Sequence, residues 1–169
     1  MKTTKEYNRQ LCEKYPFLIP SNRWTGRRIT EGAGFWFREP EVIPEYDYER
    51  TELDLMPDGW RIAFGEALCQ ELKEELESAG ALDTYRITDI KEKYGSLRWY
   101  DNGNTREGYQ IIGKYTGLSK RICIICGKPA TRITTGWISP YCDKHFPKNS
   151  NMYQEKIDGE WKQINDENI

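Results

Sequence analysis

The sequence predicts an α+β fold, in which a helix, a β-hairpin and a second helix form the core and a cysteine-containing module and a second β-hairpin follow. Apolar residues recur at helical spacing in residues 58–80 and 104–118, which predicts two amphipathic helices. Residues 85–100 alternate between apolar and polar side chains around a turn, which is typical of a hairpin. Residues 123–145 hold two closely spaced pairs of Cys and His, which indicates a compact module built on those side chains.

The chain begins with a predicted helix and continues into a long irregular segment. Thr3 and Glu6 match a capping box, and Pro16 ends the helix. The residues that share its apolar face are Tyr7, Leu11, Cys12 and Tyr15. Residues 16–57 are rich in Pro and Gly, so we expect little regular structure there apart from a short strand at residues 35–37.

The second helix has signals at both ends. Asp58 is suited to cap its N-terminus, and Gly80 is suited to end it. The residues that recur on its apolar face are Trp60, Phe64, Leu68, Leu72 and Leu76. We therefore expect this helix to supply much of the core.

A β-hairpin and a third helix complete the predicted core. The strands are expected at Tyr85–Lys91 and Ser96–Tyr100, with a turn ending at Gly95 between them. Leu97 and Trp99 should face one side of the second strand, and Arg98 and Tyr100 the other. Asn104 with Glu107 is expected to cap the next helix. The residues predicted to point inward from that helix are Tyr109, Ile112, Tyr115 and Leu118.

The most specific pattern in the chain is a C-x2-C-x15-C-x2-H array. Its members are Cys123, Cys126, Cys142 and His145. Two ligand pairs at this spacing predict a tetrahedral Zn²⁺ site. Because four protein ligands leave no position for water or substrate, the zinc is expected to be structural. His145 is the only histidine, so no imidazole remains for a catalytic Ser-His or Cys-His pair.

The zinc finger is predicted to span residues 119–147, between an α+β domain at residues 1–118 and a β-hairpin tail at residues 148–169. Gly127 suits the tight turn after the first cysteine pair. The order of a knuckle, a hairpin with strands at Ala130–Thr134 and Trp137–Ser139, and a short helical turn resembles a treble clef, and a zinc ribbon is the alternative. In the tail, strands at Met152–Ile157 and Glu160–Ile164 flank Asp158-Gly159, a strong two-residue turn signal.

Composition bounds the class of protein. The chain has no apolar stretch near the roughly 20 residues of a membrane helix, and its N-terminus lacks the apolar region of a secretory signal, so we expect a cytoplasmic protein without membrane contact. Cys12 and Cys69 are expected to be reduced thiols. Residues 38–82 carry a balance of −9 and residues 83–150 a balance of +6, which either neutralise each other or face different partners.

Two surfaces are candidates for partner binding. The first is aromatic and Arg-rich, with the anchors Trp24, Arg27, Arg28, Phe35, Trp36 and Phe37. The second holds basic residues near exposed aromatics or around the finger, and these candidates for DNA or RNA contact are Lys91, Lys93, Arg98, Lys120, Arg121 and Arg132. The sequence pI of about 5.6 is below that of a dedicated nucleic-acid binder.

A dense group of carboxylates raises the alternative of a metal-dependent hydrolase. Its members are Glu45, Asp47, Glu49, Glu52, Asp54 and Asp58. Tyr and Leu residues interleave with them, which favours an extended segment with one apolar side and one solvated acidic side. The hydrolase is therefore the less favoured interpretation.

Several stretches resemble a widespread family of small proteins of bacteria and their phages whose function is not known. They read KYPFLIPSNRWTG, YDYERTELDLMPDGWRIAFG, IKEKYGSLRWYDNG, CIICGKPA and TGWISPYCDKH and span about residues 14–146. The resemblance implies a single αβ domain with an attached zinc finger and frequent residence on mobile elements. It supplies no catalytic residues.

These observations together predict a non-enzymatic, zinc-stabilised protein that binds a host protein or nucleoprotein complex stoichiometrically. By analogy with other small phage proteins, it would inhibit a host defence complex such as a CRISPR nuclease. The alternative is a nucleic-acid-binding regulator that uses the basic finger.

Overall fold

The computed structural model describes residues 4–22, 27–29, 46–148, 150 and 152–165, and their fold is α+β, as predicted. The α-helices are α1 (Lys5–Lys14), α2 (Asp58–Trp60), α3 (Glu66–Ser78) and α4 (Arg106–Ser119). The strands are β1 (Arg86–Lys93), β2 (Ser96–Asn102), β3 (Arg132–Thr134), β4 (Pro140–Tyr141), β5 (Met152–Ile157) and β6 (Glu160–Asn165). None of the helices in these ranges is long and apolar enough to cross a membrane.

Helix α1 confirms the predicted helix but not its cap. The helix begins at Lys5, and the side chain of Thr4 accepts a hydrogen bond from the Tyr7 backbone N–H at 3.2 Å, so Thr4 and not Thr3 is the N-cap. Pro16 follows the helix, as expected, and starts a short 3₁₀ turn. Tyr7 is exposed, contrary to prediction, because only the Leu11 side of the helix packs on the core.

Helices α2 and α3 form one continuous helical run joined by a π-helical segment at Arg61–Gly65. Asp58 is the first helical residue and not the predicted cap, since the Pro57 carbonyl already accepts the Arg61 N–H at 3.0 Å. Gly80, with φ of +67°, follows the helix end as predicted. The predicted apolar face is buried along the whole run.

Strands β1 and β2 form the predicted antiparallel hairpin, which runs from the Arg86–Asn102 pair to the Lys93–Ser96 pair. Tyr94 and Gly95 make the turn with φ of +55° and +70°, the two positive values of a type I′ turn. Leu97 and Trp99 point into the core, as predicted from their alternation.

Helix α4 is capped by Thr105 and not by Asn104. The Thr105 hydroxyl accepts the Gly108 N–H at 2.8 Å. The buried positions of the helix are Gly108, Ile112, Tyr115 and Ser119, a single stripe at helical spacing. Tyr109 and Leu118 lie beside this stripe and are exposed, so their predicted inward orientation is wrong.

One hydrophobic core joins α1, the two short 3₁₀ turns at Pro16–Leu18 and Glu52–Leu55, the α2–α3 run, the β1–β2 hairpin and α4. Aromatic residues are prominent in it, and Phe17 packs edge-on against Tyr85 with ring centroids 5.5 Å apart. Cys12 and Cys69 lie buried in this core as free thiols. The strand predicted at residues 35–37 lies outside the described residues.

Candidate metal centre

The first ligand pair sits in a tight backbone turn. The Gly127 N–H donates to the Cys123 carbonyl at 3.0 Å, and the Cys123 N–H donates to the Lys128 carbonyl at 2.7 Å. Gly127 adopts φ of +76°, the left-handed conformation that favours glycine and that was predicted for this position. The turn directs the Cys123 and Cys126 sulfurs to one side.

The second pair follows a short hairpin. Strand β3 pairs with β4, and Cys142 comes directly after β4. The His145 N–H donates to the Cys142 carbonyl at 3.0 Å, which closes a turn around the pair. Residues 143–148 contain no helix, so the last element of a treble clef is missing there.

The hairpin itself differs from its predicted form, because Trp137–Ser139 is part of the connecting loop. The second strand is Pro140–Tyr141, and its partners in β3 are Ile133 and Arg132. The Thr134 hydroxyl accepts the Ser139 N–H at 3.0 Å, which folds the intervening residues into a closed loop. The second strand therefore begins after Ser139, beyond the predicted range of Trp137–Ser139.

The four predicted ligand atoms converge. All of them lie within 4.8 Å of one another. The Cys126 and Cys142 sulfurs are 3.7 Å apart, and His145 Nδ1 lies 3.7 Å from Cys123 Sγ and 3.4 Å from Cys142 Sγ. Tetrahedral zinc with Zn–S bonds of about 2.3 Å and a Zn–N bond of about 2.0–2.1 Å separates its ligand atoms by roughly 3.5–3.8 Å. The three separations given are close to these values, so the cluster is compatible with a metal site.

The backbone around the site favours a thiolate at Cys123. Burial opposes ionisation, but backbone hydrogen bonds from Cys142, Ile125 and Cys126, together with His145, outweigh it and lower the pKa of the Cys123 thiol to about 6. Burial and the neighbouring Cys126 and Cys123 sulfurs raise the pKa of Cys142. A cation among the sulfurs would stabilise their thiolate forms, because metal-bound thiols are deprotonated.

The first helical turn of α2 lies directly against the Cys123–Gly127 turn. The Gly59 N–H donates to the Ile124 carbonyl at 2.9 Å, and the buried Trp60 indole donates to the Ile122 carbonyl at 3.1 Å. A Cβ atom at Gly59 would lie 2.1 Å from the Cys123 carbonyl oxygen. The ligand-bearing turn is therefore fixed to the core by backbone contact.

The sheet of the finger extends into the tail. Strand β3 pairs with β5 as well as with β4, and the order of the four-stranded sheet is β4-β3-β5-β6. The predicted turn at Asp158 and Gly159 is confirmed. The boundary predicted at residue 147 thus runs through a single sheet.

The candidate basic residues fall into two groups. Lys91 is paired with Asp89, and Arg132 is held by Glu155 at 3.0 Å and lies over the Phe146 ring. In the described ranges no ion pair engages Lys93, Arg98, Lys120 or Arg121. Arg132 is therefore engaged by other residues of the finger and tail, and the second group remains available for a partner.

The predicted aromatic and Arg-rich surface lies largely outside the described residues. Trp24 and residues 35–37 lie outside the described residues. Arg27 is exposed, while Arg28 is half-buried and forms a β-bridge with Ser21.

Three acidic residues of the described segment have structural partners. Asp54 accepts the Thr51 N–H at 2.6 Å and pairs with the buried Arg61. Glu52 accepts the Ser21 N–H at 2.8 Å, and Asp47 pairs with Lys5 at 2.7 Å. In the described part of the chain, the Cys3His cluster is the only group of three or more His, Cys, Asp or Glu side chains that could hold a metal ion.

Sequence reasoning missed two exposed aromatic residues. Trp137 and Tyr94 lie at the ends of two different hairpins, where each is flanked by glycine. A large aromatic in a glycine-containing turn is the signal that could have identified them, because such a residue has few core neighbours to pack against.

The fold and the ligand set together define a small α+β protein with a Cys3His cluster suited to a metal ion and fixed to the core by α2. Comparisons of the chain with protein-family models, curated proteins and solved structures give no match.

Proposed function

We propose that the Cys3His cluster binds a structural Zn²⁺ ion and that the protein acts without catalysis, by stoichiometric binding to a protein or nucleoprotein partner. The observation that carries this proposal is the convergence of four protein ligand atoms within 4.8 Å of one another. Such a set saturates a tetrahedral ion and leaves no position at which a substrate could bind.

The donor chemistry supports zinc. Three cysteine sulfurs and one imidazole nitrogen are soft or intermediate ligands, which suit zinc better than magnesium or calcium. When bound, the ion would crosslink the Cys123 turn to the Cys142 turn. The protein's own residues then hold the finger against α2 through the Gly59 and Trp60 hydrogen bonds.

A binding role is supported by what the other chemically active residues do. His145, the only imidazole, is in the cluster. Asp54 and Glu52, the carboxylates that a hydrolase would need, are engaged in local structure. The more specific prediction, that the partner is a host defence complex, depends on the family resemblance alone.

Metal content and metal coordination test the structural role. We expect about one zinc per chain by elemental analysis and almost none in Cys142→Ser. Cys69→Ala is the matched control, because it removes a buried cysteine outside the cluster and should retain zinc. With Co²⁺ in place of zinc, the visible spectrum should be tetrahedral and should not change when azide is added. A spectrum that azide changes would show an open position and overturn the structural assignment.

Capture of a partner tests the binding role. The zinc-loaded protein is expected to retain a partner from a host lysate at a fixed ratio near one to one, and Cys142→Ser should lose it. If capture requires no zinc, or if the protein instead turns over a substrate at catalytic concentration, the proposed function is wrong.

A further inference from the structure

The tip of the β1–β2 hairpin and the loop of the finger enclose a cleft between them. Its volume is about 290 Å³, and it is lined by Glu92, Lys93, Tyr94, Gly136, Trp137 and Ile138. The two loops touch, since a Cβ atom at Gly95 would lie 3.0 Å from the side chain of Ile138. The cleft is therefore a joint feature of the core hairpin and of the finger.

The two aromatic residues of this cleft are unusually exposed. Trp137 is 80% exposed and Tyr94 is 69% exposed. Tyr94 also occupies a turn position with φ of +55°, where Asn, Asp or Gly is the favoured residue. A bulky residue at such a position carries strain, and strained backbone tends to occur at functional sites.

The loop that presents Trp137 is closed by hydrogen bonds of the Thr134 side chain. The Thr134 hydroxyl donates a hydrogen bond to the Trp137 carbonyl and accepts one from the Ser139 N–H. These bonds fix the backbone on both sides of the indole, so little conformational entropy would be lost when a flat ligand stacks on it.

The cleft has one cation in its lining and two more beside the hairpin that forms it. Lys93 lines it, with Nζ 5.4 Å from the centre of the Tyr94 ring. The Glu92 carboxylate is turned to the backbone, where it accepts the Gly95 N–H at 2.6 Å. The end of α4 adjoins the same hairpin, because the Ser119 hydroxyl accepts the Leu97 N–H at 2.9 Å. Lys120 and Arg121 follow there, and neither makes an ion pair within the described ranges.

We propose that this aromatic cleft binds unpaired DNA or RNA, with Trp137 and Tyr94 stacking on bases and Lys93, Lys120 and Arg121 neutralising phosphates. Single-stranded nucleic acid combines a flat π surface with a repeated negative charge, and the cleft offers the complement of both. An acidic peptide would match the cations but would leave the two rings without a regular stacking partner. The inference rests on the proposed binding function and names the chemistry of the partner.

Fluorescence anisotropy with labelled oligonucleotides of about ten residues tests the inference, since single-strand sites span roughly 4–16 nucleotides. The zinc-loaded full chain should bind single-stranded oligo-dT and oligo-U more tightly than a duplex of the same length. Trp137→Ala and Tyr94→Asn should each weaken binding by about tenfold or more. Asn suits the turn at position 94, so this variant keeps the hairpin. Tyr109→Ala, which removes an exposed tyrosine from α4, is the control and should bind like the wild type.

Salt dependence and a charged peptide distinguish binding by base stacking from binding by electrostatic attraction alone. Lys93→Ala and Lys120→Ala should each reduce the dependence of affinity on salt, as expected when a phosphate contact is lost. A Glu-rich peptide of equal length should bind weakly and should not respond to Trp137→Ala. Equal binding of the peptide and the oligonucleotide, or unchanged binding by both aromatic variants, would overturn the proposal.

Failure of this inference can be told apart from failure of the proposed function. If the zinc-loaded protein binds no oligonucleotide but still captures a protein partner from nuclease-treated lysate, only the nucleic-acid inference is wrong. If it captures neither, the binding function itself is wrong. Zinc content and far-ultraviolet circular dichroism of each variant exclude misfolding as the cause.

Discussion

Gly59 shows how one residue joins the turn that carries Cys123 and Cys126 to the core. It lies in the first turn of α2 and donates its N–H to the Ile124 carbonyl at 2.9 Å. The space that a Cβ would need is filled by backbone atoms of Cys123 and Ile124, which cannot move away without disturbing the ligand turn. Glycine is required at position 59 because the backbone of Cys123 and Ile124 approaches it closely. It is not required by backbone conformation, since residue 59 is helical.

Replacing Gly59 with alanine should strongly destabilise the protein, although it adds only one methyl group. We expect Gly59→Ala to reduce the free energy of unfolding by about 3 kcal/mol or more and to weaken zinc retention, because overpacking against backbone is costly. Gly113→Ala is the matched control, since nothing lies within 4 Å of a Cβ there, and it should be neutral or stabilising by about 0.5–1 kcal/mol. Chemical denaturation of both variants checks this prediction. Similar stabilities would show that α2 and the finger do not meet as described.

The cysteines differ sharply in environment. Burial, with Asp54 and Glu13 nearby, raises the pKa of Cys12 to about 12, and burial raises the pKa of Cys69 further. Both thiols are therefore protonated at pH 8 and shielded from reagents. For the three cluster cysteines, we expect protection to depend on the proposed metal ion.

Thiol alkylation should resolve these two classes. At pH 8 the zinc-loaded protein should react slowly at all five cysteines, and a chelator should release three of them: Cys123, Cys126 and Cys142. Cys12 and Cys69 should react only after denaturant is added. Mass spectrometry after iodoacetamide treatment gives the modified sites. Early labelling of Cys12 would contradict its place in the core.

The ligand set could be predicted from spacing, whereas Gly59 could not. Two cysteines at short spacing can be predicted to lie close together, because a tight turn between them brings their sulfurs to one side. The demand for glycine at position 59 comes from residues far away in sequence, and no local pattern reports it. The same is true of the cleft between Tyr94 and Trp137.

At the scale of elements, periodicity predicted where helices and strands occur but not their ends. The observed N-caps, Thr4 and Thr105, each lie one residue after the predicted cap. Which hydroxyl reaches the free N–H groups depends on the backbone conformation just before the helix. Strand β4 lies beyond its predicted position because its register is set by pairing with β3. The π-helical segment has no counterpart in an ideal 3.6-residue pattern.

The π-helical segment carries Arg61, whose charge is buried in the core. Its side chain is 5% exposed, and Nη2 has no hydrogen-bond partner in the described part of the chain. The ion pair with Asp54 therefore supplies much of the compensation for the buried charge. Asp54 also accepts the Thr51 N–H, so it ties the 3₁₀ turn to the helix.

Removing the charge of Asp54 should destabilise the fold. We expect Asp54→Asn to reduce the free energy of unfolding by about 2–3 kcal/mol, because it leaves a buried guanidinium without its counterion. Asp47→Asn breaks the exposed pair with Lys5 and should change stability by less than about 1 kcal/mol. Urea denaturation of the two variants measures the difference. Equal losses would show that the Arg61 pair is worth no more than a surface pair.

At the scale of the whole molecule, the chain combines a hydrophobic core with a four-stranded sheet next to the Cys3His cluster. The core residues come from the first part of the chain up to α4, and the sheet comes from the finger and the tail. The two parts meet where the Cys123 turn contacts α2. A core of this size should remain folded without the metal, whereas a sheet whose shortest strands are Pro140–Tyr141 and Arg132–Thr134 should not.

Metal removal should therefore unfold one part and spare the other. After chelation we expect hydrogen exchange to accelerate in β3, β4, β5 and β6 and at the Gly59 amide, whose acceptor lies in the finger. Amides of α3 and of the β1–β2 hairpin should keep their protection. Exchange measured by mass spectrometry or NMR before and after chelation distinguishes these regions. Uniform loss of protection would mean that core and finger unfold as one unit.

The contact between α2 and the ligand turn also gives the architecture a signature for recognising distant kin. Gly59 and Gly127 face each other, since a Cβ atom at Gly127 would lie 2.7 Å from the Gly59 carbonyl oxygen. A protein with the same contact needs glycine in the first turn of the helix and directly after the second cysteine, even where the intervening sequence differs. A search for two glycines at those places, spaced around a C-x2-C pair, should recover relatives that overall similarity no longer reveals.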